Sequence, residues 1–351
     1  MIGAVVPVHN RRSNLELMLT SLEHQTHTDF HLVVADDGST DGTRDLVEQR
    51  ARTAEWAGRL TWVGCGPNQG VRTGRARNIG AANLADGSHL LAMLDSDLIL
   101  QPDAMACFAA AHARHPQQVL LGLVEWLPPL ERSAVVAAIA EGDLERLRSR
   151  VPRGKPVRIE GTFVGPELRE GLHNLDSEHA VPMRPEWALP LNSAWPVDLY
   201  WAIGGFDEAM RGYGYQDMEF GARAAKAGAQ CLARPELWSL HVWHPKPPKA
   251  MVENQRNLDF YLRRHGANRV IETDVDWTLW WHYHAERGGT VARLNGRIWA
   301  ISGDRRHRLA LPDPSWLATL GHCPHAGEQI TERELRLMAE HGSANSSDPG
   351  R

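Results

Sequence analysis

The first third of the chain alternates between two patterns of apolar and polar positions. Short continuous apolar runs, typical of buried strands, alternate with stretches in which apolar residues recur every three or four positions, as in helices. The predicted strands are residues 4–8, 30–35, 60–63, 89–94 and 119–124, and the predicted helices are residues 13–25, 43–57, 71–84 and 103–114. Strands that alternate with helices imply an α/β fold with a mainly parallel sheet. Ser13, followed three residues later by Glu16, predicts a capping box at the start of the first helix.

The pattern changes after residue 150. Prolines, glycines and charges crowd residues 151–190, which predicts a long irregular segment, either a mobile active-site loop or a solvated linker. Regular patterns return at 191–205 and continue as predicted helices at 215–227 and 254–265. The last predicted elements are short strands at 290–294 and 297–301, a helix at 332–341, and a polar end at 342–351 that we expect to be disordered.

Composition excludes several classes of protein. The chain has 351 residues, of which 42% are hydrophobic and 23% charged, as in an ordinary globular protein. A net charge of -5 argues against binding nucleic acid through bulk positive charge. Four scattered cysteines without CxxC spacing favour a reducing compartment. The first residues lack the features of a signal peptide, and the apolar stretch 134–140 is too short to span a bilayer. We therefore expect a soluble cytoplasmic protein.

Two carboxylates, Asp95 and Asp97, directly follow the predicted strand at 89–94. Carboxylates at the end of a core strand are costly unless a cation or hydrogen bonds satisfy them. Two oxygen donors suit Mg²⁺ or Mn²⁺, which in turn suits a diphosphate. The alternative is an ordinary turn that begins with Asp. Ligands of parallel sheets bind at the carboxyl ends of the strands, where Asn10, Asp36 and Asp37 also fall.

Several motifs, in order along the chain, resemble those of family 2 glycosyltransferases. They are VVPVHNR at 5–11, DDGSTDGT at 36–43, NQG at 68–70 with ARNIG at 76–80, LDSD at 94–97, GGFDE at 204–208 and YGYQDMEFG at 213–221. The resemblance covers roughly residues 1–265, and its later part is most similar to chondroitin polymerase and polypeptide N-acetylgalactosaminyltransferase type enzymes. It implies a GT-A (Rossmann-like) fold and a metal-dependent, inverting transfer of a sugar from a nucleotide sugar, most simply a UDP-sugar, to a hydroxyl-bearing glycan, peptide or small metabolite.

The resemblance also implies roles for residues on the donor side. Asp37 corresponds to the carboxylate that accepts a hydrogen bond from the uracil imide, and Arg77 to an arginine that contacts the base or the diphosphate. Asp95 corresponds to the carboxylate that holds ribose or water near the metal. The other expected nucleotide-binding residues are Pro7, Val8, Asn10, Arg11 and Ser96. The alternatives are a plain strand-to-loop junction for the first segment and a solvated helix arginine for Arg77.

The resemblance further implies a metal site and a base. Asp97 corresponds to the carboxylate that bridges the Mn²⁺ or Mg²⁺ ion and the diphosphate. His244, with a Pro-Pro pair after two further residues, matches the family's distant metal ligand, and His241 matches it less well. Asp217 corresponds to the catalytic base, and its place in the first turn of a helix favours the ionised form. A structural histidine and a capping aspartate are the alternatives. Gln216 stands where the family has Glu, which puts the acceptor type in doubt.

Two other functions are alternatives. A nucleotidyltransferase acting on sugar phosphates is expected to have a glycine-rich phosphate loop after the first strand, and residues 8–12 contain no glycine. A non-catalytic protein that binds sugar nucleotides is not expected to retain both Asp97 and Asp217.

The resemblance and the change of pattern after residue 268 together divide the chain into three parts. We expect a transferase domain over residues 1–268, a small accessory region at 269–341 and a tail at 342–351. Within the transferase domain, 1–125 forms the nucleotide-binding half, 151–190 the flexible loop and 191–268 the acceptor half. The accessory region is rich in tryptophan, including Trp277, Trp280 and Trp281, which favours packing of a small core over an acceptor platform.

Overall fold

The computed structural model describes residues 1–152, 157–160, 162–166, 181–183, 185, 188–245, 250–265, 290–294, 297–302 and 305–309. The chain divides into two compact units, Met1–Ala250 and Met251–Arg351. The boundary that we predicted after residue 268 lies outside the described residues and stays a prediction. No helix in the described part of the chain is long and apolar enough to cross a membrane.

The first unit is an α/β domain. Its strands are β1 Ile2–Val8, β2 Phe30–Asp36, β3 Leu60–Gly64, β4 Leu90–Leu94, β5 Leu98–Leu100, β6 Val119–Trp126, β7 Val157–Ile159, β8 Thr162–Val164, β9 Val181–Met183, β10 Asn192–Pro196 and β11 Cys231–His241. Its helices are α1 Arg12–Glu23, α2 Thr43–Arg50, α3 Thr73–Ala82, α4 Ala104–Arg114, α5 Arg132–Ala140, α6 Leu144–Arg148, α7 Val197–Ala202 and α8 Gln216–Lys226.

Nine of the described strands form one sheet, in the order β3-β2-β1-β4-β10-β6-β11-β5 with β9 paired to β11. Strands β1 to β4 run parallel to one another, and β6 runs parallel to β11. Strand β10 lies antiparallel between β4 and β6. The predicted fold class is therefore confirmed, with antiparallel strands inserted in the second half. The apolar periodicity did not predict β5 or β11.

Apolar clusters cover both faces of the sheet, and β1 is therefore buried on both sides. Its residues Ala4 and Val6 pack in the cluster that also contains Leu15 of α1 and Phe108 of α4. Val5, between them, packs in the cluster of the opposite face. Helix α3 lies very close to the sheet, since a Cβ on its Gly80 would fall 2.4 Å from Val5 Cγ1.

The predicted capping box at Ser13 is wrong. Helix α1 begins at Arg12, one residue earlier, and its first turn has no local side-chain cap. Instead, the Oδ2 atom of Asp41, from the loop after β2, accepts a hydrogen bond of 2.9 Å from the Arg12 backbone N–H. A tertiary contact thus satisfies a helix donor that a local cap was expected to satisfy.

Helix α2 is shorter than predicted and ends at Arg50. The chain then turns so that Trp56 reaches full burial. Its indole Nε1–H donates a 2.6 Å hydrogen bond to Glu23 Oε1, which also accepts a 2.7 Å hydrogen bond from Arg50. Burial of a large aromatic side chain with a satisfied N–H outweighs the continuation of the helical pattern.

The Asn192 side chain connects β10 to β6 and to β11, the strand beyond β6. Its side-chain amide donates to the carbonyls of Leu123 and Leu237, at 3.2 and 2.8 Å. The register between β6 and β11 shifts at this level. A Cβ on Gly122 would fall 2.2 Å from the Asn192 Nδ2 atom. The asparagine therefore fits this irregularity of the sheet only because residue 122 is glycine.

The segment predicted to be irregular contains three short strands. Strands β7 and β8 form a two-stranded antiparallel sheet, and β9 joins the main sheet. The rest of residues 151–190 lies partly outside the described residues.

The second unit contains helix α9, Ala250–His265, apart from its first residue, and strands β12 Thr290–Leu294, β13 Arg297–Ser302 and β14 Arg305–Leu309. The three strands form an antiparallel sheet, so both predicted strands are confirmed and a third is added. The tryptophan-rich piece, the predicted helix at 332–341 and the tail at 342–351 lie outside the described residues.

Candidate active site

A carboxylate and two imidazoles meet at one edge of the main sheet. Asp97 follows β4, His241 ends β11, and His244 lies three residues further on. One ligand atom from each lies within 4.8 Å of the others. A carboxylate oxygen with two imidazole nitrogens is a donor set that suits Mn²⁺ and other transition metals better than Mg²⁺, which prefers oxygen ligands. The sequence pattern favoured His244, and the structure adds His241 to the same cluster.

The Asp97 carboxylate is held on both oxygens. Its Oδ1 atom accepts a 2.9 Å hydrogen bond from Asn14 Nδ2, and its Oδ2 atom lies 3.1 Å from His244 Nε2. Burial alone would raise the pKa of Asp97, but the hydrogen bond with His244, the charge of His241 and the Asn14 bond together hold that pKa below its usual value. The carboxylate is therefore ionised at neutral pH, as a metal ligand must be.

His244 is oriented through its second ring nitrogen. Its Nδ1 atom lies 3.1 Å from Arg11 Nη2 and 3.1 Å from the Pro245 carbonyl oxygen. Since one neighbour is a donor and the other an acceptor, Nδ1 has a partner in either tautomer. Such outer contacts fix the ring orientation of metal-binding histidines. Arg11, which is expected to lie beside the nucleobase, thus contacts one of the three candidate metal ligands.

Arg77 bridges the other two expected carboxylates. Its Nη2 atom donates to Asp95 Oδ1 and its Nη1 atom to Asp217 Oδ1, both at 2.9 Å. The Arg77 side chain is only 4% exposed, whereas the Asp217 side chain is 34% exposed. The contact of Arg77 with the nucleobase or the diphosphate stays a prediction, and the structure places its two terminal nitrogens on protein carboxylates.

Burial raises the pKa of Asp217, and the nearby charge of Asp95 adds to this effect while the Arg77 guanidinium opposes it. Burial likewise raises the pKa of Asp95, against the opposing charge of Arg77. Asp217 lies in the first turn of α8, as predicted. A carboxylate with a raised pKa is a stronger base, which suits proton abstraction.

Asp37 lies at the end of β2 with an unused acceptor. Its backbone N–H donates to the Val8 carbonyl at 2.9 Å. Its Oδ1 atom is buried and has no hydrogen-bond partner among the described residues. Burial raises the pKa of Asp37, and the charges of His9, Arg72 and Arg75 act against the rise. A buried acceptor without a partner is costly unless a ligand supplies a donor.

Asn10 shapes the loop around Asp37. It adopts a left-handed conformation with φ of 50°, and its Oδ1 atom accepts a 2.8 Å hydrogen bond from the Thr40 N–H. Pro7 and Val8 belong to β1 and are buried in the sheet. Ser96 is also buried, with 5% exposure.

Gly38 allows the next loop to close on this site. Its φ is +77°, and a Cβ there would fall 2.5 Å from the Asn68 backbone nitrogen. The Asn68 side chain donates to the Asp37 carbonyl at 3.0 Å. The glycine after Asp37 thus lets the NQG segment pack against the backbone of this loop.

Gln216 makes both of its hydrogen bonds inside the protein. Its Oε1 atom accepts from the Gly74 N–H at 3.1 Å, and its Nε2 atom donates to the Gly212 carbonyl at 2.6 Å. The residue is 7% exposed. Only an amide, which offers both an acceptor and a donor, satisfies both partners. The sequence connects this residue with the acceptor type, which stays a prediction, and its contacts tie the start of α3 to the loop before α8.

Asn78 ties α3 to the GGFDE segment. Its Oδ1 atom accepts hydrogen bonds from the Phe206 N–H at 2.8 Å and from the Tyr200 hydroxyl at 2.6 Å. Its Nδ2 atom donates to the Phe206 carbonyl at 2.9 Å. The motifs that carry the resemblance are therefore in direct contact with one another.

Residues 4–148 match the model of the family described as Glycosyl transferase family 2. This chain carries a family 2 glycosyl transferase domain. The family resemblance inferred from the motifs is thereby confirmed. Outside the motif-based expectations, the structure adds Asn14 to the site, and it places the less favoured candidate, His241, beside His244. Asn14 carries no sequence signal beyond its position in the first helix, whereas His241 lies three residues before His244.

Curated relatives extend the similarity beyond the matched domain. The chain is 32% identical over 273 residues to a validoxylamine A glucosyltransferase of Streptomyces hygroscopicus subsp. jinggangensis, which covers 76% of this chain and 61% of that protein. It is 22% identical over 292 residues to the uncharacterized glycosyltransferase YfnE of Bacillus subtilis, and the match covers 78% of this chain and 72% of that protein. The chain thus spans less than two thirds of the first relative's length.

A solved structure supports the fold. The crystal structure of GalNAc-T7 with UDP, GalNAc and Mn²⁺ superposes with a TM-score of 0.53 at 14% identity, covering 88% of this chain and 66% of that chain. The GT-A fold predicted from the motifs is consistent with this likeness.

Proposed function

We propose that this protein is an inverting glycosyltransferase that moves a sugar from a UDP-sugar to an acceptor hydroxyl. The observation that carries the proposal is the cluster of Asp97, His241 and His244 at the same sheet edge as a separate carboxylate, Asp217, with a raised pKa. A metal-dependent displacement needs these two kinds of group, one for the leaving diphosphate and one for the attacking hydroxyl.

The nucleoside binds beside Asp37 in this proposal. The buried Oδ1 atom of Asp37 lacks a partner among the described residues, and a uracil imide N–H is a donor that would satisfy it. The loop tied by Asn10 and Thr40 borders this atom. Asp95 faces the ribose or its water through the oxygen that Arg77 leaves available.

Asp97, His244 and His241 would hold the metal, and the two imidazoles favour Mn²⁺ over Mg²⁺. When bound, the metal stabilises negative charge on the departing diphosphate. Arg11, which now contacts His244, contributes a cation at the same place.

Asp217 accepts the proton of the acceptor hydroxyl as that hydroxyl attacks the anomeric carbon from the side opposite the diphosphate. A single displacement of this kind inverts the anomeric configuration and needs no covalent enzyme intermediate. Its side chain is 34% exposed, so an acceptor has access to it. Holding both reactants in line supplies much of the rate enhancement.

The relatives guide the choice of substrates. The name validoxylamine A glucosyltransferase specifies a glucosyl donor, and the GalNAc-T7 structure contains UDP and Mn²⁺. We therefore propose UDP-glucose as the first donor to test, and a hydroxyl-bearing glycan, peptide or small metabolite as acceptor. We also propose that residues 1–268 form the transferase domain and 269–341 an accessory region.

The test is binding followed by turnover. Calorimetry with UDP is performed with Mn²⁺ and without it, and UDP release is then measured with UDP-glucose and UDP-N-acetylglucosamine, first with water and then with candidate acceptors. We expect Mn²⁺-dependent UDP binding and slow UDP release into water. Absence of UDP binding in the presence of Mn²⁺ would contradict the proposal. Pyrophosphate formation from UTP and a sugar phosphate would favour a nucleotidyltransferase, and binding without turnover a non-catalytic protein.

A further inference from the structure

One buried arginine contacts two carboxylates that the proposed reaction uses. The Asp95 and Asp217 side chains are 30% and 34% exposed, whereas the Arg77 side chain between them is 4% exposed. Arg77 therefore reaches both carboxylates from the protein interior. The two terminal nitrogens of its guanidinium are committed to the protein, one to each carboxylate.

The position of Arg77 relative to Asp217 is fixed from both sides along α3. Gly74, three residues before Arg77, donates its N–H to Gln216, the neighbour of Asp217. Asn78, the residue after Arg77, is bonded to the backbone of Phe206. Helix α3 thus cannot shift along the segment that carries Asp217 without breaking these hydrogen bonds.

The guanidinium of Arg77 leaves one of its own N–H groups unsatisfied. Its Nε atom is buried and has no hydrogen-bond partner among the described residues. Its Cζ atom lies 5.2 Å from the centre of the Phe206 ring, within the range of a cation–π contact. An unsatisfied buried N–H costs free energy, so this arginine is located by its two carboxylates and by the aromatic ring.

Among the described residues, the charged groups that act on the pKa of Asp217 are Arg77 and Asp95. Arg77 on α3 lowers its pKa, and Asp95 after β4 raises it. On α8 itself, Glu219 is fully buried and paired with Arg223 at 2.8 Å. Arg77 is accordingly the cation that offsets both the burial of Asp217 and the charge of Asp95.

We propose that Arg77 is a positioning residue, which holds the base Asp217 in its orientation and in its ionised form through the same guanidinium that holds Asp95. The proposal rests on the proposed function, in which Asp217 is the base. A planar guanidinium donates to two carboxylates in a fixed geometry, whereas a lysine ammonium supplies the charge without that geometry. Charge and geometry are therefore separable by substitution.

The experiment uses the full chain with Arg77→Met, Arg77→Lys and, as a matched control, Arg223→Lys. Arg223 is also an arginine in an ion pair, but its partner is Glu219. The Asp217 carboxyl is titrated by carbon NMR without substrate, its signal assigned by its loss in Asp217→Asn. The pH profile of UDP release from UDP-glucose is measured in parallel.

In Arg77→Met the titration midpoint of Asp217 and the acid limb of kcat should both move to higher pH, by about one pH unit or more. In Arg77→Lys the Asp217 midpoint should lie close to that of the wild type. Its kcat should still be at least about tenfold lower than that of the wild type, because the orientation of Asp217 is lost. Arg223→Lys should leave the midpoint unchanged, whatever its effect on thermal stability. An Asp217 midpoint in folded Arg77→Met equal to that of the wild type overturns the proposal.

A further variant covers the case in which Arg77→Met does not fold. Arg77→Gln keeps a polar donor near both carboxylates but removes the positive charge, so the Asp217 midpoint should rise, and an unchanged midpoint overturns the proposal. The titration needs no donor or acceptor. A wild type that releases no UDP at any pH would therefore count against the proposed function, while the titration still decides the role of Arg77.

Discussion

Asp97 and His244 face each other at 3.1 Å between Oδ2 and Nε2, although they come from distant parts of the sequence. The backbone fixes this approach, because the Val242 N–H donates to the Asp97 carbonyl at 2.7 Å. The two residues are therefore positioned before any ligand binds, and the rest of the site is arranged around them.

Replacing Asp97 by Asn should weaken Mn²⁺-dependent UDP binding by about tenfold or more, because a neutral amide oxygen is a poorer metal ligand than a carboxylate. UDP binding without metal should change little. Calorimetry with and without Mn²⁺ measures both quantities. Asp86→Asn, at an exposed position before β4, is the control, and equal affinities for the two variants would remove Asp97 from the metal site.

His241→Asn tests whether the second imidazole is a ligand. Loss of one of three ligands should reduce Mn²⁺ affinity by about tenfold or more and should reduce discrimination between Mn²⁺ and Mg²⁺. Electron spin-echo spectroscopy of the bound Mn²⁺ should detect two imidazoles in the wild type and one in the variant. A single imidazole in the wild type would show that His241 only supports the cluster.

Asp217→Asn should retain UDP binding and lose turnover by about a hundredfold or more, because an amide does not accept the acceptor proton. The control is Asp198→Asn, an exposed aspartate in the first turn of α7. It shares the helix position of Asp217 but not its contact with Arg77. Initial rates of UDP release with acceptor, together with UDP affinity, decide the matter, and a nearly normal rate would exclude Asp217 as the base.

Gln216→Glu restores the residue typical of the family, yet it should destabilise this protein by about 1–3 kcal/mol at neutral pH. The new carboxylate would face the Gly212 carbonyl, to which the amide now donates. This raises the pKa of the introduced glutamate in the folded state, so stability should be recovered at low pH, where the protonated acid donates, and lost as pH rises through that pKa.

Urea denaturation of Gln216→Glu at several pH values measures this effect. Gln49→Glu, at the end of α2, serves as a control for adding one negative charge. A Gln216→Glu variant as stable as wild type at neutral pH, with altered acceptor preference, would return this position to the acceptor site.

Asp37→Asn should raise stability at neutral pH while weakening UDP binding by about tenfold, since a neutral acceptor bonds the imide less strongly. Because burial raises the pKa of Asp37 in the folded state, the wild type loses stability as pH rises from the unfolded pKa through the folded one. The stability gain of the variant should therefore grow from acid to neutral pH. Thermal unfolding across that range checks the sign, and a constant difference would mean that the Asp37 charge is not the cause.

The parallel half of the sheet was predictable because its strands are short apolar runs bounded by turn residues. Strand β11 was not predictable, because buried and half-buried residues alternate along most of it and because Arg234, Pro235 and Glu236 interrupt the apolar pattern. Strand β5 has only three residues, Leu98–Leu100, too few for a periodic signal. Its place in the sheet depends on pairing with β11, which is a distant contact.

In the site, as in the sheet, local patterns were predictable and contacts between distant segments were not. Asp95, Asp97, Asp37 and Asp217 stand out in the sequence because the motifs place polar residues at strand and helix ends, and their roles stay predictions. The partners of these residues do not stand out, since the bridge from Arg77 to Asp217 and the contact of Asn14 with Asp97 join segments far apart in sequence. Spacing along the chain carries no information about which side chains meet across the sheet.

The fit of Asn192 beside Gly122 has an evolutionary consequence. A side chain at 122 would occupy the space of the asparagine amide, and removal of the amide would take one donor away from each of the carbonyls of Leu123 and Leu237. Neither position can change alone at low cost, so the two should be inherited as a pair. Chimeras between relatives that exchange the second half of the sheet should tolerate a crossover only when both positions come from the same parent.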